Sequence, residues 1–246
     1  MGILYIVATP IGNLNDITLR ALAVLKSVDV ILCEDTRVTK HLLDHYKISK
    51  PLISYHQHSA ITKSEEVLSH LATGKNLALV TDAGTPGISD PGGKLVQLVL
   101  DRFGDDVKIE SVPGPSAVTA ALSISGVAAD KFIFMGFPPN KKGRQTFIKR
   151  ILKAEYPVVV YESKYRIIKF LEELKALAAR GLTEEDGVKM EKGELVREIH
   201  LTSVVVCREL SKMFETVYRG ELDSIIEKIK DNPDAQKGEF VVIVGK

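Results

Sequence analysis

The side chains best suited to chemistry in this 246-residue chain gather in five short polar clusters, each directly after an apolar run. They are Thr9-Pro10-Ile11-Gly12-Asn13, Glu34-Asp35-Thr36-Arg37, the pair His56 and His58, residues 81–90 beginning Thr81-Asp82-Ala83-Gly84-Thr85, and Pro113-Gly114-Pro115-Ser116. Within residues 81–93, four glycines and two prolines let backbone approach a ligand closely and hold the turns rigid. A site built from backbone groups, small hydroxyls and a few carboxylates suits a polar, partly cationic small molecule.

Several other chemistries lack their residues. No GxGxxG follows a strand with an acidic residue some twenty positions on, and no GxxxxGK[ST] is present, so dinucleotide and P-loop sites are not indicated. A GxSxG nucleophile elbow and a zincin histidine pair are also absent. His56 and His58 alternate along an extended segment and so face opposite ways, which predicts one surface and one cleft histidine and no metal site.

The elements that must position the clusters alternate regularly through the first half. Strands are predicted over residues 3–8, 28–33, 51–55, 76–80 and 107–112, from continuous apolar runs. Between them, Asp16 is expected to cap a helix through Ser27 with Leu19, Leu22, Ala23 and Val24 buried. A second helix runs to Tyr46, a third opens on the Thr62-Lys63-Ser64-Glu65 capping box and stops at Gly74, and a fourth spans residues 94–103. This alternation predicts a mainly parallel, doubly wound sheet, whose strand ends share one edge; the clusters should therefore converge on one crevice.

Beyond Pro113 the pattern changes. After an exposed loop over residues 136–144 a helix is expected to run to Ala154; the other helices are expected over residues 116–125, 163–179 and 222–230, and strands over 131–135, 157–161, 203–207, 214–219 and 240–244. Runs of strands beside helices predict a second α/β domain with a mixed, partly antiparallel sheet. The expected division is 1–113 and 114–246, with no long linker and with the ligand cleft between the two domains.

Composition sets outer bounds. Lys+Arg number 33 against 32 Asp+Glu, so no overall basic field advertises nucleic acid, although a local patch remains open. Cys33 and Cys207 lie in apolar runs at a spacing that fits no metal motif, which predicts two buried reduced thiols. No signal peptide precedes the first strand and no apolar run approaches the roughly 20 residues needed to cross a bilayer. A soluble cytoplasmic protein is expected.

The motifs, taken in order, resemble the ribosomal RNA small subunit methyltransferase I family, within the tetrapyrrole methylase superfamily. The resemblance rests on Leu4-Tyr5-Ile6-Val7-Ala8-Thr9-Pro10-Ile11-Gly12-Asn13-Leu14, Glu34-Asp35-Thr36-Arg37, residues 81–92, Pro113-Gly114-Pro115-Ser116-Ala117 and Phe134-Met135-Gly136-Phe137-Pro138. It continues through Tyr161-Glu162 with Arg166, Arg208-Glu209-Leu210-Ser211-Lys212 and Lys237-Gly238-Glu239-Phe240, and so covers essentially the whole chain.

The resemblance implies methyl transfer from S-adenosyl-L-methionine to the ribose 2′-hydroxyl of a decoding-region cytidine in small-subunit ribosomal RNA, by a homodimer. It carries cofactor contacts to Pro10, Asp82, Ala83, Gly84, Thr85, Ile88, Ser116 and Ala117, with Tyr161, Arg208 and Gly238 as further cofactor-side candidates. Two departures stand out. The family's His-Asn-Glu run is replaced by His56-Gln57-His58-Ser59-Ala60, and residues 181–202 form a longer connection, read as a surface excursion at a dimer or RNA contact.

Transfer to a ribose oxygen is an in-line displacement that needs alignment and a proton acceptor or oxyanion stabiliser. Asp35 and Glu34 are the base candidates, and Arg37 the group that steadies charge or holds a phosphate. The same cluster also reads as a helix cap, with Asp35 or Thr36 at the N-cap and Arg37 pairing locally. Arg208-Glu209 equally reads as a structural ion pair. For RNA, Lys141, Lys142 and Arg144 beside Phe137, in a loop stiffened by Pro138 and Pro139, offer phosphate and stacking contacts; a solvated basic loop is the alternative. Two other functions remain open: a methyltransferase acting on a tetrapyrrole or other small molecule, and a non-catalytic ribosome-binding module.

Overall fold

Apolar runs dictate two sheets. The computed structural model describes residues 1–55, 61–90, 92–188, 196, 199, 201 and 203–245, and the chain forms two compact units, Met1–Ser116 and Ala117–Lys246. His56 and His58 lie outside the described residues.

In the first unit β1 (Ile3–Val7), β2 (Val30–Cys33), β3 (Leu52–Ser54), β4 (Leu77–Leu79) and β5 (Lys108–Val112) form one sheet in the order β3-β2-β4-β1-β5. Every pairing in it is parallel. Parallel strands are covered on both faces, which explains their unbroken apolar runs. Ile31, Cys33, Ala78 and Val80 join one core cluster with Ala21, Leu25, Leu42 and Leu43. Val30, Leu32, Leu77 and Leu79, the alternate positions, join the other with Leu68, Leu71, Leu95 and Val99. Hence α1 (Leu19–Ser27) and α2 (Thr36–His45) cover one face, and α3 (Ile61–Ala72) and α4 (Gly92–Phe103) the other. Each buried leucine contributes about 1.5–3 kcal/mol.

Two helix starts differ from expectation. Asn13 caps a separate single turn over Leu14–Asp16, Ile17 is extended, and Thr18 caps α1 by accepting from the Ala21 amide. The later start turns the buried stripe to Ala21 and Leu25 and leaves Leu19 86% exposed. Thr62 lies inside α3, which already begins at Ile61, so the expected capping box is not the start of that helix.

The second unit holds a mixed sheet in the order β6-β7-β10-β8-β9. Its strands are β6 (Ile133–Phe134), β7 (Val158–Ser163), β8 (Val204–Arg208), β9 (Thr216–Gly220) and β10 (Glu239–Val244). β6 pairs parallel with β7, and the remaining pairings are antiparallel. The fold class expected from the sequence is thus observed: a parallel first sheet and a mixed second one. Ile148 and Ile151 of α6 (Arg144–Lys153), Phe170 and Leu174 of α7 (Ile167–Arg180) and Ile225 and Ile229 of α8 (Leu222–Lys230) pack on one face. α5 (Ala117–Ser125) packs against β8 and β10. Cys33 and Cys207 are both buried and unbridged, and burial pushes the Cys207 thiol up to about 11.

The segment after α7 is not a surface excursion at its start. Leu182 is 1% exposed within the core, and the buried Asp186 carboxylate binds Lys149 at 2.5 Å and Arg180 at 2.5 Å. Most of residues 189–202 lie outside the described part.

Candidate functional site

β1 and β4 are neighbours whose following helices leave to opposite faces of the sheet, α1 to one and α4 to the other. In open α/β sheets a reversal of this kind, at the carboxyl ends of the strands, is where ligands bind. The chain segments leaving β1 and β4 are stitched together there. Thr9 N–H donates to Gly84 C=O at 2.9 Å, Gly84 N–H donates to Thr9 C=O at 3.1 Å, and the Thr9 hydroxyl donates to Thr81 C=O at 3.0 Å. Thr9 is 2% exposed, so its hydroxyl is committed to this bridge. Gly84 has φ +86°, a conformation that would strain any side-chain-bearing residue.

Two further clusters join the same edge. The Thr81 hydroxyl donates to Glu34 Oε1 at 2.7 Å, and the Asp35 amide donates to Asp82 Oδ1 at 3.1 Å, which couples the β2 end to the β4 end. Thr85 Oγ1 donates to Pro115 C=O at 3.0 Å, which couples the β5 end as well. Four of the five predicted clusters are therefore brought together by hydrogen bonds. The fifth, His56 and His58, lies outside the described residues.

The rest of the β4–α4 loop is rigid. Asp90 Oδ1 accepts from both Gly87 N–H and Gly92 N–H at 2.7 Å. A Cβ on Gly92 would sit 2.8 Å from Gly87 N and 2.9 Å from Asp90 Oδ1, so glycine is required for this closure. The loop presents Ile88, 45% exposed, beside the exposed backbone of Gly87 and the exposed Asp82 and Ala83. An apolar side chain left in water next to backbone polar groups and a carboxylate is suited to an amphipathic small molecule.

The geometry separates the two carboxylates after β2. Asp35 is the N-cap of α2: its Oδ1 accepts from the Arg37 amide at 2.8 Å, and both oxygens bind the Arg37 guanidinium, the shortest contact being 2.6 Å. Hydrogen bonds from the Arg37 side chain and amide hold the Asp35 carboxyl down at about 2. A carboxylate so committed is a poor proton acceptor, and the capping reading of this cluster is the one realised. Glu34 instead reaches back along the sheet edge to the Thr81 hydroxyl. The Arg37 side chain is 89% exposed.

Two arginines of the second unit are held in ways that local sequence does not announce. Arg208 is buried against backbone carbonyls. It is 9% exposed, and its guanidinium donates to the carbonyls of Lys237 at 2.7 Å, Phe214 at 3.2 Å and Asp234 at 2.5 Å. Glu209 pairs with Lys212 at 2.9 Å, and a Cβ on Gly238 would lie 2.5 Å from the Glu209 side chain. Gly238 has φ +97°, so any side chain there would be strained as well as crowded by Glu209. Arg144 is not part of an exposed basic loop: it is 5% exposed, its Nε donates to Glu173 Oε2 at 2.5 Å and its Nη1 lies 3.6 Å from Glu162 Oε2. Lys141 and Lys142 are exposed, as expected. Ser116 and Ala117 end the first unit and begin α5. Tyr161 packs against Phe134 and Phe137, with ring centroids 4.9 and 5.4 Å apart, and burial pushes its hydroxyl up to about 12.

Sequence reasoning assigned no role to Thr9 or Thr81. The signal was present: each is the hydroxyl residue that closes an apolar strand run, where a side chain can still hydrogen-bond a neighbouring strand's exit. Arg166 was quoted only as part of a motif; its two-sided clamp, described below, joins residues far apart in sequence.

Residues 3–226 match the family described as Tetrapyrrole (Corrin/Porphyrin) Methylases. The chain is 40% identical over 245 residues to a protein of Synechocystis named Ribosomal RNA small subunit methyltransferase I, covering 99% of this chain and 79% of that protein. A protein of the same name from Thermotoga maritima is 38% identical over 244 residues, covering 99% of this chain and 98% of its own length. Among solved structures, the methyltransferase CobJ superposes with TM-score 0.66 at 17% identity, covering 100% of this chain and 95% of that one. Uroporphyrin-III C-methyl transferase from Thermus thermophilus, complexed with S-adenosyl homocysteine, gives TM-score 0.61 at 18% identity, with 98% and 97% covered. Likeness at this identity speaks to the fold.

Proposed function

Because the chain belongs to the tetrapyrrole methylase family and, within it, to the ribosomal RNA small subunit methyltransferase I proteins, we propose that it methylates the ribose 2′-hydroxyl of a decoding-region cytidine in small-subunit ribosomal RNA. The methyl donor in this reading is S-adenosyl-L-methionine, and the working form is a cytoplasmic homodimer. The observation that carries it is the near-complete match, 38–40% identical over 99% of the chain, to proteins named for that RNA.

The donor set at the β1/β4 edge fits such a cofactor. Its oxygens are carbonyls, hydroxyls and carboxylates, neutral or anionic partners for a molecule that carries a sulfonium and an ammonium group. Bound S-adenosyl-L-methionine supplies a methyl group already activated by its positive sulfur. In this reading Pro10, Ala83, Gly84, Thr85, Ser116 and Ala117 contribute backbone and small-side-chain contacts, Ile88 covers apolar surface, and Asp82 accepts hydrogen bonds from polar groups. Glu34 takes the proton from the ribose oxygen, oriented by the Thr81 hydroxyl. Arg37, pinned by Asp35, meets phosphate, and Lys141 and Lys142 hold the RNA backbone.

Asp82 gives a discriminating pair of variants. Asp82→Asn keeps an acceptor for the Asp35 amide but removes the charge, whereas Asp82→Ala removes both. Hydrogen bonds to charged groups are worth about 1.5–3 kcal/mol, so titration calorimetry is expected to show S-adenosyl-L-methionine affinity at least about tenfold weaker in both variants. Wild-type affinity in Asp82→Asn would reduce Asp82 to scaffolding. Substrate class is tested by offering the enzyme small ribosomal subunits lacking the modification and, separately, a uroporphyrinogen. Methylation of RNA alone supports this reading, and methylation of the tetrapyrrole alone replaces it.

A further inference from the structure

Tyr165 is 84% exposed, in a turn between β7 and α7, with the Lys164 ammonium 5.0 Å from its ring centroid. The turn is rigid. The Arg166 amide donates to Ser163 C=O at 3.0 Å, and the fully buried Glu162 carboxylate accepts from the Ser163 amide at 2.7 Å and pairs with Arg166 Nη2 at 2.8 Å. The other branch of the same guanidinium, Nη1, donates to Pro138 C=O at 3.0 Å and to Asn140 Oδ1. Arg166 therefore clamps the 137–142 loop onto the 163–166 turn. Arg144, at the far end of that loop, adds a bond to Pro139 C=O at 3.3 Å from its anchorage on Glu173.

Two loops that are separate in sequence thus form one fixed surface carrying Phe137 (51% exposed), Lys141, Lys142, Lys164 and Tyr165. Its exposed charges are of one sign: Lys141, Lys142 and Lys164. The arginines that clamp it, Arg144 and Arg166, are matched by the inward-turned carboxylates of Glu162 and Glu173, and Lys149 by Asp186, so the charge left facing solvent on the two loops is that of the lysines. A local basic field of this kind in a chain of net charge +1 calls for a polyanion.

We propose that this composite surface holds an unpaired RNA segment, with Tyr165 and Phe137 stacking on splayed bases and Lys141, Lys142 and Lys164 on the flanking phosphates. The choice of single-stranded RNA follows from the rings. In an A-form duplex the base faces are stacked away, so exposed aromatics gain contact with bases only where the strand is open. The inference rests on the RNA methyltransferase reading and adds to it the Lys164-Tyr165 turn and the reason two loops act as one.

The test uses the full chain, a fluorescein-labelled single-stranded oligoribonucleotide of decoding-region sequence, and a blunt duplex of equal length, in fluorescence anisotropy across a salt series. Tyr165→Ala is expected to raise Kd for the single strand by about fivefold or more, whereas Tyr165→Phe stays near wild type because the ring is kept. Lys164→Ala should lower the slope of log K against log salt by roughly 0.7, the value for one phosphate contact on a single strand. S-adenosyl-L-methionine affinity stays unchanged in all three. If wild type binds the strand and Tyr165→Ala binds it equally well, the surface is wrong while the RNA reading stands. Equal losses on duplex and single strand also overturn the stacking role. If wild type binds neither RNA, both this surface and the RNA reading fail.

Discussion

Glu34→Gln is expected to lower kcat for methyl transfer by about 10²–10⁴, the usual contribution of a positioned general base, with S-adenosyl-L-methionine affinity within about twofold of wild type. Glutamine preserves the acceptor for the Thr81 hydroxyl, so the stitched strand-end edge survives and only proton acceptance is lost. Asp35→Asn should behave differently. Its carboxyl is already held at about 2 by Arg37 and the first turn of α2. A depressed carboxylate contributes stability above its unfolded value of 3.8, and that contribution is lost as pH falls through about 2. Between pH 5 and 9 Asp35 therefore does not titrate, and Asp35→Asn should leave the shape of the pH–rate profile intact. Glu34→Gln should instead lower the rate across this whole range. Stopped single-turnover assays from pH 5 to 9 check both statements. A rate unaltered in Glu34→Gln and strongly lowered in Asp35→Asn would exchange the two roles.

Arg144→Ala is expected to destabilise the Ala117–Lys246 unit by about 3–5 kcal/mol, because removing one partner of a buried pair leaves uncompensated charge. Glu162 is fully buried and Glu173 largely so, and the guanidinium also lies over the Phe170 ring, 5.9 Å from its centroid. Calorimetry should show Tm lower by roughly 10 °C or more. Lys141→Ala and Lys142→Ala, both exposed, should stay within about 0.5 kcal/mol of wild type while weakening RNA binding. An Arg144→Ala protein with wild-type Tm and reduced RNA affinity would return Arg144 to the exposed basic loop.

That contrast shows what local sequence conveys and what it does not. Lys141, Lys142 and Arg144 read as one basic stretch, yet Gly143 at φ +85° turns the chain into α6 and sends Arg144 inward. Its partners, Glu162 and Glu173, lie 18 and 29 residues further on, so nothing nearby in sequence announces them. The setting of Arg208 is hidden for a related reason: its acceptors are carbonyls, which carry no residue-type signal at all. The parallel sheet, by contrast, was legible. Strands buried on both faces need continuous apolar runs, and the polar clusters mark where those runs end. Convergence of four clusters followed from topology, while the bonds that join them depend on Thr9, Thr81 and Thr85, whose hydroxyls look ordinary until the strand order is known. The start of α1 failed on a finer point. Asp16 and Thr18 are both good caps, and the single turn opened by Asn13 decides between them.

The central claim, methyl transfer to a ribose oxygen of small-subunit RNA, is tested most directly with S-adenosyl-L-methionine labelled in its methyl group. The acceptors are two preparations of small ribosomal subunits lacking the modification, one with natural RNA and one with a single 2′-deoxycytidine at the acceptor. Label is expected in the ribose of the natural RNA and none in the deoxy RNA. Equal labelling of both would place the methyl group elsewhere than on the 2′-oxygen and contradict it.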